Sequence, residues 1–340
     1  MILICRFQFL PIFLINMLVV SSASQICEKH RKRFDVSQLA AVREALFQWN
    51  SILPFILENE LDGIMKVDGN NGNRHREFNY LGPIGPTCTS EWVSYGSGDE
   101  EKRVCGELQL HHHYHHVNKA ALVEGHRESN KCVVYSVGSN NQFLFEIDIF
   151  NRTTCFVEIF DCTVSTFTPP TYIQSRIRTH KVCLGSKTEI IEGRQFMNWT
   201  SLNALTGLNT NPDFLKMDIE GFEYEVLHSI IDSGENFPLQ IAMELHIGGM
   251  IGSKARRMYP AELIAFMNYL RVYGGYYLVN RRDGNLHCTE VVVAMLDCER
   301  KKQTMALSKN PMNELKQFSK DNNLLKDSIF FSREKGSEKG

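Results

Sequence analysis

The chain has 340 residues, 43% of them hydrophobic and 22% charged, the balance of a globular protein. Its formal net charge is -2 and it has no long basic stripe, which excludes nucleic acid as the default partner. The length suits one large domain or two small ones, and no internal repeat divides it.

The N-terminus comes first. Arg6 precedes an apolar run from Phe7 to Val20, and the small residues "SSAS" follow. That is the layout of a secretory signal peptide over residues 1–24, with cleavage after Ala23 or Ser24. A retained membrane anchor is the alternative, because the run approaches spanning length. The basic cluster Lys29 to Arg33 opposes translocation of that flank and favours cleavage. Membrane contact is expected only if the segment is retained. Two sequons, Asn151-Arg-Thr and Asn198-Trp-Thr, agree with a secreted or lumenal protein. Ten cysteines fit an oxidising compartment, and nine remain once Cys5 leaves with the signal. An odd number leaves at least one thiol free or intermolecular. Cys88 and Cys105 bracket the polar loop "TSEWVSYGSGDEEKRV" and form the pair the sequence favours.

Residues 25–84 form an expected helical extension. Leu39, Val42, Leu46, Trp49 and Leu53 recur at helical spacing, which predicts a helix over 36–62 kinked or ended by Pro54. Residues 63–76 read as a loop, and 78–131 as irregular chain carrying the disulfide loop. The run "HHHYHH" at 111–116 reads as an exposed polar stretch, with metal binding as the alternative.

From 131 onward short apolar runs alternate with helical patterns, the mark of an α/β fold with a mainly parallel sheet. The predicted strands are 132–137, 155–160, 181–185, 213–218 and 239–245. The predicted helices lie near 142–151, 201–208 and 221–232. A helix over 260–275 then leads to "YYLVNR", the turn "RDGN" and "CTEVVVAML", a hairpin that closes the sheet with an antiparallel strand. This pattern resembles a class I methyltransferase Rossmann-like sheet, of order 3-2-1-4-5-7-6 with strand 7 antiparallel. Residues 85–298 form that domain, and 299–340 a polar tail.

Ligands of a doubly wound sheet bind at the carboxyl ends of its strands, where the order reverses. The first strand ends at Gly138, which permits a sharp turn, and Ser139, Asn140 and Asn141 are placed to cap the next helix. Asp161 follows Gly138 by 23 residues, near where an acidic residue holds nucleotide ribose hydroxyls.

The segments "CVVYSVGSNNQFLFEIDIF", "EIFDCT", "FLKMDIEGFEYEVL", "QIAMELH" and "GNLHCTEVVVA" resemble, in order, the animal methyltransferase-like protein 24 family, related to FkbM-type methyltransferases. The likeness implies an S-adenosylmethionine-binding domain, with Gly138, Ser139, Asn140, Asp161 and Asp218 on the cofactor. The fuller Gly-x-Gly pattern is here Gly138-Ser139-Asn140, a departure that bears on cofactor affinity.

Asp218 ends the fourth strand beside the expected methionine end of the cofactor. There it would accept from the ammonium, fix a substrate hydroxyl or ligate a metal. Glu220, Glu223 and Glu225 are expected to enter the first turns of the next helix, the last two as helix-start charges. Glu244 and His246 share a strand face, and His246, with a pKa near neutrality, is the candidate base. The catalytic candidates are thus Asp218, Glu220 and His246. The expected acceptor is a hydroxyl or carboxylate of a small molecule or glycan. Asp218 and His246 alone are not a full ligand set, and a sulfonium needs no Lewis acid, so no metal is expected. A non-catalytic secreted binding protein and a metal-assisted enzyme are the alternatives.

Overall fold

Val133, Tyr135 and Val137 of one strand face one side of a sheet and Val134 the other, and every residue of the strand is buried. Such continuous runs belong to strands covered on both faces. The computed structural model describes residues 27–51, 74–108, 132–207, 211–246, 260–283 and 288–298. The expected signal segment, residues 52–62 including Pro54, the histidine run, the turn expected at 284–287 and the expected tail lie outside them.

A hairpin, β1 (Trp92–Tyr95) and β2 (Lys102–Cys105), precedes the main sheet. The sheet is built from β3 (Val133–Val137), β4 (Phe156–Phe160), β5 (Ile177–His180), β9 (Phe214–Met217), β10 (Gln240–His246), β11 (Tyr276–Asp283) and β12 (Cys288–Met295). Their order is β5-β4-β3-β9-β10-β12-β11, with β12 antiparallel to both neighbours. Numbered within the sheet, this is the expected 3-2-1-4-5-7-6.

Helices α2 (Leu144–Arg152), α3 (Trp199–Thr206), α4 (Glu223–Ser233) and α5 (Pro260–Gly274) follow their predicted spacings. On one face Leu215 and Ile241 pack with Val226, Leu227 and Ile230 of α4 and Leu270 of α5. On the other, Val134 and Phe214 share a core with Phe145 of α2, Val104 of the hairpin and Leu39 of α1 (Leu39–Ser51).

Four disulfides tie this body together: Cys27–Cys298, Cys88–Cys105, Cys132–Cys155 and Cys162–Cys183. The favoured Cys88–Cys105 pair is among them. Among the described residues Cys288 is the cysteine outside these disulfides, and it is buried.

Several expectations are corrected. The disulfide loop is not irregular: it is the β1–β2 hairpin. Residues 74–76, expected in a loop, begin a 3-10 helix, Arg74–Leu81. The third sheet strand is Ile177–His180, not 181–185. Only Ile177 of this edge strand is buried, so no apolar run announces it. The chain at 181–185 contributes β6 (Cys183–Leu184) to a small separate sheet with β7 (Glu189–Ile191) and β8 (Arg194–Met197). Glu192 and Gly193, both at positive φ, make the two-residue turn between β7 and β8.

Candidate active site

The sheet order reverses between β3 and β9, and the chain ends there are locked together. Gly138 has φ +77, and a Cβ on it would lie 1.8 Å from the Asp218 carbonyl oxygen. Glycine is required by this backbone contact. Asn140 and Asn141 follow at positive φ, and Gln142 N–H donates to Ser139 O at 2.7 Å. Ser139, Asn140 and Asn141 therefore form a turn and do not cap α2. Its first N–H, that of Leu144, donates to Glu100 from the hairpin loop at 2.9 Å. Below the turn, the buried Lys216 ammonium donates to Gly138 O at 2.7 Å. The Lys216 charge also lies near Glu146, a fully buried carboxyl that burial pushes up. Ser139 Oγ is buried and has no hydrogen-bond partner among the described residues.

Asp161 lies at the end of β4 as expected, but it is 6% exposed and builds the turn. Its Oδ2 accepts from Asn140 N–H at 2.7 Å, and its Oδ1 from Thr163 N–H at 2.8 Å and the Thr163 hydroxyl at 2.6 Å. One lone pair of Oδ2 is left for a ligand hydroxyl.

Asp218 leaves β9 half-buried, and its carboxylate makes no hydrogen bond among the described residues. Glu220 does not enter the helix: it stands exposed in the preceding turn at φ +56, followed by Gly221 at φ +101. Glu223 is not a solvated helix-start charge. It is fully buried, and its Oε1 accepts from Ile219 and Gly221 N–H at 3.2 Å and faces His246 Nδ1 at 3.0 Å. The other imidazole nitrogen, Nε2, lies 3.5 Å from Glu220 Oε2. Burial works against charge on His246, but the Glu223 hydrogen bond and the charges of Glu223, Glu244 and Asp218 prevail and raise it to about 9. It is an imidazolium at neutral pH, which corrects the expectation of a base with a pKa near neutrality.

Beside His246, burial and then the Asp218 charge push Glu244 up to about 7. The Cys288 thiol donates to Glu244 Oε1. Across the β10–β12 ladder Glu244 faces Glu290, which the buried Lys102 ammonium meets at 2.6 Å. The fold thus adds Lys216, Glu223 and Cys288 to the expected residues. Lys216 and Glu223 stand inside "KMDIEGFEYEVL", where their burial has no linear signal, and Cys288 joins through strand pairing 42 positions from His246. A separate shallow cleft, lined by Glu100, Gln142 and Leu144 among others, lies at the start of α2 and carries no comparable cluster.

A sheet of this order, with the reversed strand next to its edge and acidic groups at the switch point, defines the class I methyltransferase fold. Residues 62–294 match the family described as "Methyltransferase domain", and the chain belongs to it. No curated protein matches. Among solved structures, the methyltransferase FkbM from Methylobacillus flagellatus KT is 15% identical, with a TM-score of 0.31 over 49% of this chain and 44% of that one. The Methanococcus jannaschii fibrillarin pre-rRNA processing protein is 11% identical, with a TM-score of 0.30 over 48% and 66%. A putative O-methyltransferase from Klebsiella pneumoniae is 6% identical, with a TM-score of 0.30 over 49% and 74%. The match spans less than two thirds of the FkbM and fibrillarin chains.

Proposed function

We propose that the chain transfers a methyl group from S-adenosylmethionine to an oxygen of a small-molecule or glycan acceptor in the secretory pathway. The observation that carries this is the convergence of Gly138, Asp218 and His246 at the ends of three neighbouring strands, β3, β9 and β10, at the switch point. The unpartnered Ser139 hydroxyl and the remaining Asp161 lone pair fit a polar cofactor at the glycine turn. When bound, the cofactor supplies a methyl already activated on a sulfonium. What the chain must add is mainly position. The Asp218 carboxylate, uncommitted at its strand end, accepts from the acceptor hydroxyl and orients its oxygen, and Glu220 lies on the exposed side of the same space. The hydroxyl proton passes to one of these carboxylates as the oxygen takes the methyl. His246, held by Glu223, carries a positive charge among them at neutral pH while no cation is bound to it.

Four disulfides support an oxidising compartment, and the narrower likeness to the methyltransferase-like protein 24 family belongs to the same proposal. A second reading, a binding protein without catalysis, is favoured by Asp161, whose carboxylate is largely engaged by its own loop. The test offers methyl-labelled donor and the secreted protein to pooled glycans and small hydroxy acids. Label should reach an acceptor, and Asp218→Asn should lower transfer while cofactor affinity is kept. Cofactor binding with no transfer to any pool would favour the second reading.

A further inference from the structure

Eight of the nine described cysteines are paired, and Cys288 alone keeps its thiol. It stands directly opposite His246 in the β10–β12 ladder, so the two side chains project from the same face of the sheet. Glu244, two residues before His246, shares that face and touches the thiol. Ligand atoms of Glu244, His246 and Cys288 all lie within 4.8 Å of one another, and so do those of Asp218, Glu220 and His246. One imidazole belongs to both groups.

The imidazole is held as a metal ligand is held. A buried carboxylate, the usual outer partner that fixes ring orientation, takes Nδ1 and leaves Nε2 without a hydrogen bond among the described residues, 3.5 Å from exposed Glu220. The local charge also calls for a cation. Asp218, Glu220, Glu223 and Glu244 surround His246, while Lys102 is paired with Glu290 and Lys216 with the Gly138 carbonyl. Nitrogen, thiol and carboxylate together suit zinc, whose tetrahedral ligand atoms lie roughly 3.3–3.8 Å apart.

We propose that Glu244, His246 and Cys288 bind a divalent cation of the zinc class, with Glu223 orienting the imidazole. Binding displaces the thiol proton and the Nε2 proton, leaving thiolate and neutral imidazole on the metal. The site stands on its ligand atoms and does not depend on methyl transfer, so either proposal can fail alone.

The test uses the secreted, disulfide-bonded protein, stripped with chelator, dialysed and titrated with Co²⁺ under an absorption readout. One equivalent should raise a thiolate-to-cobalt charge-transfer band, and Zn²⁺ should abolish it in the unmodified protein. Cys288→Ser should lose the band, and Glu223→Gln should weaken binding by about 10–100-fold. The 111–116 histidine run offers nitrogen alone and gives no such band. Cobalt binding without the band, or a band that persists in Cys288→Ser, would overturn the assignment. So would a band that Zn²⁺ leaves in place.

Discussion

The Glu223 carboxylate, on the first residue of α4, faces Nδ1 of His246, the last residue of β10, at 3.0 Å, and both side chains are buried. The contact joins the turn after β9 to the end of β10, the two strand ends that frame the crevice. Removing one partner of a buried pair leaves the other uncompensated, at about 3–5 kcal/mol. Glu223→Ala should lose that much stability in urea unfolding at pH 7, and Glu223→Gln less. A loss below about 1 kcal/mol for the alanine variant would mean that the pair does not brace the site.

Lys216 has the same role on the other side. Its ammonium satisfies Gly138 O from below and lies near the buried Glu146. Lys216→Met keeps the length of the side chain but orphans that carbonyl and leaves Glu146 without its neighbouring cation. It should destabilise the fold by about 2–4 kcal/mol and weaken cofactor binding through a loosened turn. Unchanged unfolding and unchanged affinity would contradict this.

Gly138 and Gly193 have nearly equal positive φ, +77 and +76, but different surroundings. A Cβ at Gly138 meets the Asp218 carbonyl, whereas one at Gly193 meets nothing within 4 Å. Gly193→Ala should cost only the left-handed backbone penalty, about 1–2 kcal/mol. Gly138→Ala should cost clearly more, read as a lower thermal midpoint or loss of folded protein. Equal effects would show that β3 and β9 are not locked at this contact.

The His228 ring of α4 packs tilted against Tyr269, with ring centroids 4.2 Å apart, and burial lowers its pKa from 6.5 to about 4. Between those values the unfolded chain binds a proton that the folded chain refuses. Stability contributed by this group is full above pH 6.5 and is lost as pH falls toward 4, by about 3 kcal/mol. Urea unfolding from pH 7 to pH 4 should show that loss, and His228→Leu should remove its share. An unchanged acid profile in the variant would contradict it.

The central strands and their order were legible because each is a short apolar run ended by Gly, Asp or a turn. β5 was not, because an edge strand with one buried residue writes no such run. At the site, Gly138, Asp161, Asp218 and His246 stood out as strand-end residues, and each lies at its strand end. Their partners were hidden. Glu223 looks like any acid at a helix start until the turn at Glu220 and Gly221 folds it inward. Cys288 meets His246 only through the register of an antiparallel strand. The rise of His246 to about 9 comes from Glu223 and Asp218 of the stretch after β9 and Glu244 of its own strand, so the expectation of neutrality missed partners brought in by the fold.

The central claim is that this crevice binds the methyl donor. The direct measurement is calorimetric titration of the secreted, disulfide-bonded protein with S-adenosylhomocysteine, repeated as a thermal shift. Saturable binding is predicted, and at 100 times the dissociation constant the fold should gain about 2.7 kcal/mol. No heat and no thermal shift at saturating ligand would contradict the claim.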